Sequence, residues 1–158
     1  MRFANFIEKR KKYVSLKLSS ASKNYLSIWC EMNGFDIKTN HSGEEVGEFD
    51  FHVTLFYTSN KLNVQNCAKH IEQIPLKIIG FEFFGEEKNI PVLLLDKTDG
   101  LLKTRRFFEN IGMVDQWGED WKPHISVSYN FNGEKKIPVL PKGDIYGNFL
   151  VIEDQSED

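Results

Sequence analysis

The chain has 158 residues, of which 41% are hydrophobic and 27% charged, as is typical of one soluble globular domain with a substantial core. Its net charge of −3 argues against a protein that grips long nucleic acid through the phosphate backbone, although a few local cations would suffice for a small anion. No segment approaches the about 18 consecutive apolar residues of a membrane span, and residues 1–12 lack the apolar centre of a signal peptide. We therefore expect a cytosolic protein.

The first half of the chain predicts a strand, a helix and a second strand. Residues 1–12 form a basic arm, expected to be solvated, and the alternation over 13–18 predicts a strand with Tyr13, Ser15 and Lys17 facing away from the core. Ser19 or Ser20 can cap a helix that runs to about residue 33 and ends at Gly34. The polar stretch 36–50 predicts a flexible loop that leads into a strand over 51–57.

The second half predicts two further helices among several strands. A short helix is expected over 64–72, and the apolar runs 74–84 and 90–96 read as strands joined by a turn over 85–89. A helix that begins at Thr98 or Asp99 should end at Gly112. A loop over 113–122, strands over 124–130 and 143–153, and a polar tail over 154–158 complete the chain. This order predicts a single α+β domain over residues 1–158, with mixed or antiparallel sheets and flanking helices.

Two short motifs, His52-Val53-Thr54 and His124-Ile125-Ser126, lie 72 residues apart in strand-like runs. One such motif is common and usually structural, but here the flanks also match, since an aromatic residue follows five positions after each histidine. In a strand, residues i and i+2 share a face, so each motif presents an imidazole beside a hydroxyl. The alternation predicts two faces. The core face would hold Val53, Leu55, Tyr57, Ile125, Val127 and Tyr129, and the cleft face His52, Thr54, Phe56, His124, Ser126 and Ser128.

Two imidazoles and two hydroxyls around one small space suit the chemistry of a phosphodiester. One histidine would accept a proton, the other would donate one, and the hydroxyls of Thr54 and Ser126 would hold phosphate oxygens. The sequence does not decide which histidine is the base. The acids are scattered without metal-ligand spacing, and the two cysteines show neither such spacing nor a disulfide framework, so we expect no metal and no cofactor. His41 and His70 have no partner motif and are expected to be structural or solvent-facing.

Substrate binding would need flat apolar surfaces for nucleobases and polar groups for phosphates. Tyr13 is the best stacking candidate because of its predicted strand face, and Trp117 and Trp121 precede the second motif directly. Core packing is the alternative for both tryptophans, and it is the preferred interpretation of Trp29. The predicted binding set also contains three residues of the motif strands and of the first strand, Lys17, Tyr57 and Ser128.

The two motifs resemble those of the two-histidine (LigT-like) phosphoesterase superfamily, which has two H-x-T/S motifs on central strands of a bilobal α+β fold with a central cleft. Longer stretches, 12–18, 34–36, 49–60 and 122–129, are similar to phage anti-CBASS nucleases, small proteins that destroy the cyclic oligonucleotide signals of bacterial defence. The resemblance extends over most of the chain in element order. It implies that His52, Thr54, His124 and Ser126 are catalytic and that the protein acts in the cytoplasm of an infected bacterial host.

The leading hypothesis is a metal-independent phosphodiesterase that cleaves 3′,5′ linkages of cyclic di- and trinucleotides, such as cyclic GMP-AMP, through attack by the adjacent 2′-hydroxyl. An alternative enzyme would act on 2′,5′-oligonucleotides or on 2′,3′-cyclic ends of RNA. An alternative of another class would bind and sequester cyclic nucleotides without cleaving them. The expected partners are therefore cyclic di- and trinucleotides, with no long nucleic acid and no membrane.

Overall fold

A seven-stranded antiparallel sheet and two α-helices make up the regular structure of residues 9–155, the part of the chain that the computed structural model describes. The strands are β1 (Arg10–Leu18), β2 (His52–Leu62), β3 (Cys67–Leu76), β4 (Ile78–Phe84), β5 (Ile90–Leu95), β6 (His124–Ser126) and β7 (Ile145–Asp154). The helices are α1 (Ser20–Met32) and α2 (Asp99–Asn110), with a single 3₁₀ turn at Gly118–Asp120. The predicted α+β class is confirmed.

The strands lie in the order β3-β7-β1-β2-β6-β5-β4, and every strand pair in residues 9–155 is antiparallel. The mixed sheet that was the other expectation is therefore wrong. Only Lys77 separates β3 from β4, although these strands are the two edges of the sheet. A flat sheet would hold its edges about 29 Å apart, whereas Leu76 and Ile78 are at most about 8 Å apart along the chain. The sheet must therefore curl strongly, so that its edges converge at that end.

Local signals place both helices where the sequence predicts them. The side chain of Ser19 accepts a hydrogen bond from the backbone N–H of Ser22 and caps α1. Gly34 follows α1 with φ of 72°, and Gly112 follows α2 with φ of 99°. Residues with a Cβ rarely adopt such left-handed conformations, so the two glycines end the helices as expected.

The short helix predicted over residues 64–72 is wrong, because most of these residues belong to β3. Residues of β3 from Cys67 to His70 pair with β7 residues from Phe149 to Ile152, so sheet pairing overrides a short and weak helical pattern. The strand predicted over 74–84 is also divided at Lys77, with its halves at opposite edges of the sheet. The last strand of the first half is longer than expected, since β2 runs to Leu62.

The basic residues before Tyr13 are not all part of a solvated arm. Strand β1 begins at Arg10, and Lys12 is only 3% exposed. The Lys12 ammonium lies 2.6 Å from the Asp154 carboxylate and donates to Asn66 at 3.0 Å, which makes its burial tolerable. Asp154, predicted as tail, therefore belongs to β7, while residues 1–8 and 156–158 of the predicted arm and tail lie outside the described part of the chain.

One continuous apolar core joins the sheet to both helices. Leu26 and Trp29 of α1 and Leu101 and Phe108 of α2 belong to the same buried cluster as Leu16 at the centre of β1. The expectation that Trp29 is a core residue is confirmed. Both helices thus bury their apolar side chains in the same core as the central strand β1.

Candidate active site

Adjacent pairing of β2 and β6 brings the two motifs together. Val53 pairs with Ile125, and because the pair is antiparallel, His52 lies across from Ser126 and Thr54 lies across from His124. Residues directly opposite have Cβ atoms about 5 Å apart and diagonal ones about 7–8 Å apart. Val53 and Ile125 are fully buried, whereas the four motif side chains on the other face are partly accessible. The two imidazoles therefore stand diagonally across one small space, each beside a hydroxyl.

Both imidazoles are held by the same type of backbone contact. His52 Nδ1 lies 3.0 Å from the carbonyl oxygen of Asp50, and His124 Nδ1 lies 2.7 Å from that of Lys122. A carbonyl oxygen can only accept, so Nδ1 carries the hydrogen in both rings. The lone pair of the neutral imidazole is then on Nε2 in each case, and Nε2 is the atom available for proton transfer.

The surroundings of His52 include a carboxylate. Asp50 Oδ2 lies 3.4 Å from His52 Nδ1 and 2.7 Å from the Lys17 ammonium. Partial burial acts to raise the pKa of Asp50, but hydrogen bonds and charge attraction from His52 and then from Lys17 lower it well below its usual range. Asp50 is therefore an anion behind the imidazole, and a protonated His52 would form an ion pair with it.

The surroundings of His124 are apolar instead. The Phe84 ring meets the His124 ring edge to face, with the centroids 4.8 Å apart. Burial lowers the pKa of His124; the hydrogen bond to the Lys122 carbonyl opposes this, and the nearby His52 lowers it further. His124 is therefore neutral at neutral pH, with an unprotonated Nε2.

Tyr13 contacts both residues of the first motif through its hydroxyl. That oxygen lies 2.7 Å from His52 Nε2 and 3.0 Å from Thr54 Oγ1. Burial first, opposed by the hydrogen bond with Thr54, raises the pKa of Tyr13 to about 12, so the phenol keeps its proton and donates it to His52 Nε2. The structure thus places Tyr13 in the site through its polar end, whereas the sequence suggested only its ring.

The sequence assigned Phe56 and Tyr57 to the wrong faces. Strand β2 has one extra residue, Leu55, between the positions paired with Val14 and Ser15 of β1, and such a bulge reverses the alternation beyond it. Phe56 is consequently buried in the core. Tyr57 stands on the site face, with its ring 5.8 Å from that of Tyr13. Tyr57 therefore remains a candidate for substrate binding, for a reason that the alternation did not provide.

The two candidate tryptophans occupy different positions around a cavity of about 330 Å³ that adjoins the site. The cavity is lined by Thr54, Phe84, Trp117, Asp120, Trp121, Lys122 and His124. Trp117 is 43% exposed, whereas Trp121 is 3% exposed, donates from Nε1 to the Thr54 carbonyl at 2.9 Å, and has the Arg105 guanidinium 4.2 Å above its ring. Trp117 can offer a face to a ligand, while Trp121 mainly forms the wall beneath.

The second motif strand is shorter than predicted, which changes the positions of Ser128 and Tyr129. Strand β6 ends at Ser126. Ser128 is fully buried and donates its hydroxyl hydrogen to the Asp36 carbonyl at 2.7 Å, so it anchors a loop and its donor is not free for a ligand. Tyr129, predicted in the core, packs against it only partly buried and also contacts Ser126. Burial raises the pKa of Tyr129, and a hydrogen bond with Ser126 acts against this.

The comparison with known families bears on this arrangement. The family model of the anti-CBASS protein Acb1 matches residues 10–154, which include both motifs and all the side chains described above. The chain belongs to this anti-CBASS family. No curated protein sequence matches it significantly. Membership in the anti-CBASS family supports a role in countering CBASS signalling and implies interaction with cyclic oligonucleotide signals.

Three side chains of this anti-CBASS protein's site were missed from the sequence. Asp50 lies two residues before His52, and that spacing could have signalled a shared position at the start of the strand. Tyr129 was assigned by an alternation that stops where β6 ends. Phe84 reaches His124 from β4, two strands away across the sheet, and no pattern in the sequence predicts that order of strands.

Within residues 9–155, no group of three or more His, Cys, Asp or Glu side chains is arranged to hold a metal ion. In the same range, no helix is long and apolar enough to cross a membrane. Of the two cysteines, both unpaired, Cys30 is buried and Cys67 is exposed.

Proposed function

We propose that this anti-CBASS protein is a phosphodiesterase of the two-histidine type that opens cyclic di- and trinucleotides at a 3′,5′ linkage without a metal ion. The observation that carries the proposal is the pairing of β2 with β6, which sets two imidazoles and two hydroxyls on one face of the sheet. Both rings keep their hydrogen on Nδ1 and offer Nε2, the geometry that a matched base and acid require.

The unequal surroundings of the two histidines suggest their roles. His124, whose pKa is lowered by burial, is unprotonated at neutral pH and suits the general base. His52 has the Asp50 carboxylate 3.4 Å from Nδ1, so the cationic form has a counter-ion and suits the general acid. The reverse assignment would need a protonated His124 in apolar surroundings, where burial lowers its pKa and disfavours the cationic form.

In the proposed step, His124 Nε2 takes the proton of the ribose 2′-hydroxyl, and the 2′-oxygen forms a bond to phosphorus. The bond from phosphorus to the 5′-oxygen breaks, and that oxygen takes the proton from His52 Nε2. The hydroxyls of Thr54 and Ser126 donate to the non-bridging oxygens as their negative charge increases. The product carries a 2′,3′-cyclic phosphate and a free 5′-hydroxyl, and a second round with water could open the cyclic phosphate.

In the free protein, Tyr13 forms hydrogen bonds with two of the candidate catalytic side chains. Its hydroxyl occupies His52 Nε2 and Thr54 Oγ1, the two atoms that would serve the substrate. Substrate oxygens would take over one or both contacts, and the Tyr13 hydroxyl, which keeps its proton, would then be a further donor to the phosphate. This role complements a stacking role for its ring, which stays a prediction.

The substrate class is proposed on charge as well as on family. A net charge of −3 provides no extended phosphate track for long RNA, whereas the cavity beside the motifs has only about 330 Å³, a size suited to a small ligand. We place the protein in the cytoplasm of an infected bacterial host, where the cyclic signals are made.

The test is an incubation in EDTA with 3′3′-cyclic GMP-AMP, its 2′-deoxy analogue, a 2′,5′-linked oligonucleotide and a long single-stranded RNA, with products identified by mass. We expect the cyclic ribonucleotide to be cut and its 2′-deoxy analogue to bind without being cut. Equal cleavage of the deoxy analogue refutes internal attack, and preference for long RNA or the 2′,5′ linkage refutes the substrate class. Recovery of intact cyclic nucleotide after denaturation of the complex would show sequestration instead.

A further inference from the structure

A second cavity, of about 460 Å³, lies on the other side of His52 from the cavity with the tryptophans. Its lining includes Asp50, which contacts His52 Nδ1, and Lys17, which forms an ion pair with Asp50. It also includes side chains of β7 and β3, two and three strands away from β2. The volume is within the range of about 300–1,000 Å³ that small-molecule sites occupy.

Strand register connects this cavity directly to the candidate active site. His70 of β3 pairs with Phe149 of β7, Phe149 pairs with Lys17 of β1, and Lys17 pairs with His52 of β2. Residues that pair across neighbouring strands project from the same face of a sheet. The four side chains therefore form one row, in which Phe149 stands two strand spacings, about 10 Å, from His52.

The row ends in an aromatic platform. The Phe149 and His70 rings have centroids 4.7 Å apart and planes tilted by 58°, and both side chains are at least partly accessible, so Phe149 can offer its face to a base with His70 beside it. Strand β7 carries an extra residue, Asn148, between the positions paired with Lys17 and Leu18, and this bulge explains why two consecutive residues of β7 both line the cavity. The Asn148 amide can both donate and accept hydrogen bonds, as the edge of a nucleobase requires.

We propose that this cavity is a nucleobase subsite, in which one base of the cyclic substrate stacks on Phe149 with His70 at its edge, while another base occupies the cavity by Trp117. The inference rests on the proposed function, and it adds the position and the residues that bind a second base. The cationic neighbours support a base more than a phosphate. Lys17 is already paired with Asp50, and Lys23 lies 2.7 Å from Glu48, so neither ammonium is left to attract an anion strongly.

Two cavities that flank one pair of histidines fit a ring that carries bases on both sides. The first cavity is lined by residues of β4 and β6 and of the segment 117–122, and the second includes residues of β1, β7 and β3 in its lining. In the strand order, β2 with His52 lies between β6 on one side and β1 on the other. A mononucleotide has a single base and could occupy only one of the two cavities at a time. The arrangement therefore gives selectivity for small cyclic oligonucleotides a structural basis.

The experiment measures the dissociation constant of the 2′-deoxy analogue of 3′3′-cyclic GMP-AMP by calorimetry, using the full chain. Phe149→Leu should weaken binding about 5- to 140-fold, the equivalent of about 1–3 kcal/mol for stacking one base on an aromatic ring. Phe149→Tyr keeps the ring and should bind within about threefold of the unchanged protein. Phe107→Leu, at an exposed phenylalanine of α2 outside both cavities, is the matched control and should have no effect.

His70→Ala provides a second variant, because this exposed side chain can be removed without opening the core. It should weaken binding in the same direction, which keeps the test valid if thermal unfolding shows that Phe149→Leu is misfolded. Unchanged affinity in the folded variants, or an equal loss in Phe149→Leu and Phe149→Tyr, would overturn the subsite. Failure of the unchanged protein to cleave 3′3′-cyclic GMP-AMP would overturn the proposed function alone, since the binding series still decides the subsite.

Discussion

The contact between Asp50 and His52 offers the sharpest test of the proposed roles of the two histidines. Asp50→Asn keeps the size and the backbone of the residue and removes only the charge 3.4 Å from His52 Nδ1. At that distance, two unit charges interact by about 1.2 kcal/mol at the dielectric constant of water, and by more near a protein surface. The Asp50 side chain is 59% exposed, so we take the smaller value, which corresponds to about one pH unit.

The sign follows from the requirement that the acid be protonated. With His52 as the acid, activity is lost as the pH rises, and loss of the carboxylate makes the imidazolium less stable. The alkaline limb of the kcat/KM profile should therefore move to lower pH by up to about one unit, and kcat/KM on that limb should fall by up to about tenfold. The acid limb, which reports deprotonation of His124, should lie on the acid side of the ordinary histidine value because burial lowers the pKa of His124, and it should not move.

The assay is the pH dependence of kcat/KM on 3′3′-cyclic GMP-AMP between about pH 4.5 and 9.5, because this quantity reports the groups of the free enzyme. Lys17→Met removes the neighbouring cation and should move the alkaline limb in the opposite direction. Glu134→Gln, at an exposed acid paired with Lys136, is the control and should move neither limb. A shift of the acid limb in Asp50→Asn would show that the roles of the histidines are reversed, and an unchanged profile would show that Asp50 does not act on His52.

Two further predictions concern the motif side chains and a buried ion pair. His52→Ala and His124→Ala should each abolish cleavage and leave the thermal unfolding temperature nearly unchanged. Thr54→Ala and Ser126→Ala should each lose about 2.7–4 kcal/mol of transition-state stabilisation, measured from kcat/KM. Near-normal turnover in either histidine variant would refute the site. Arg105 forms a buried ion pair with Asp115. Arg105→Met leaves the Asp115 carboxylate without this partner and should lower the free energy of unfolding by about 3–5 kcal/mol in urea titrations. A loss below about 1 kcal/mol would contradict this account.

The sequence predicts the parts of this molecule that depend on neighbours along the chain. Ser19, Gly34 and Gly112 act through backbone groups within a few residues, and they set the ends of both helices as expected. The pairing of an imidazole with a hydroxyl on one face also needs only the two-residue period of a strand. The α+β class and these helix ends can therefore be predicted from the sequence alone.

The errors arise where strands are irregular or where distant segments pair. A single extra residue, Leu55, exchanges the expected faces of Phe56 and Tyr57, and alternation alone cannot locate such a bulge. Residues 67–70 carry no strong strand pattern, and β3 forms because β7 offers an edge to pair with. Lys12 is buried because Asp154, 142 residues later, lies on the neighbouring strand.

Under the proposed function, the order of strands accounts for how a protein of net charge −3 would bind a small anionic signal and bind a long polyanion only weakly. Lys17 and Lys23 near the site each have a carboxylate partner, so the region offers little unpaired positive charge along which a phosphate backbone could run. Aromatic side chains on both sides of His52, Trp117 in one cavity and Phe149 in the other, can instead bind uncharged bases. Affinity that comes from stacking depends on the number and spacing of bases, which a small ring fixes and a flexible polymer does not. Selectivity for cyclic oligonucleotides would then follow from the distance between two platforms across the sheet, with the phosphate to be cut held between them.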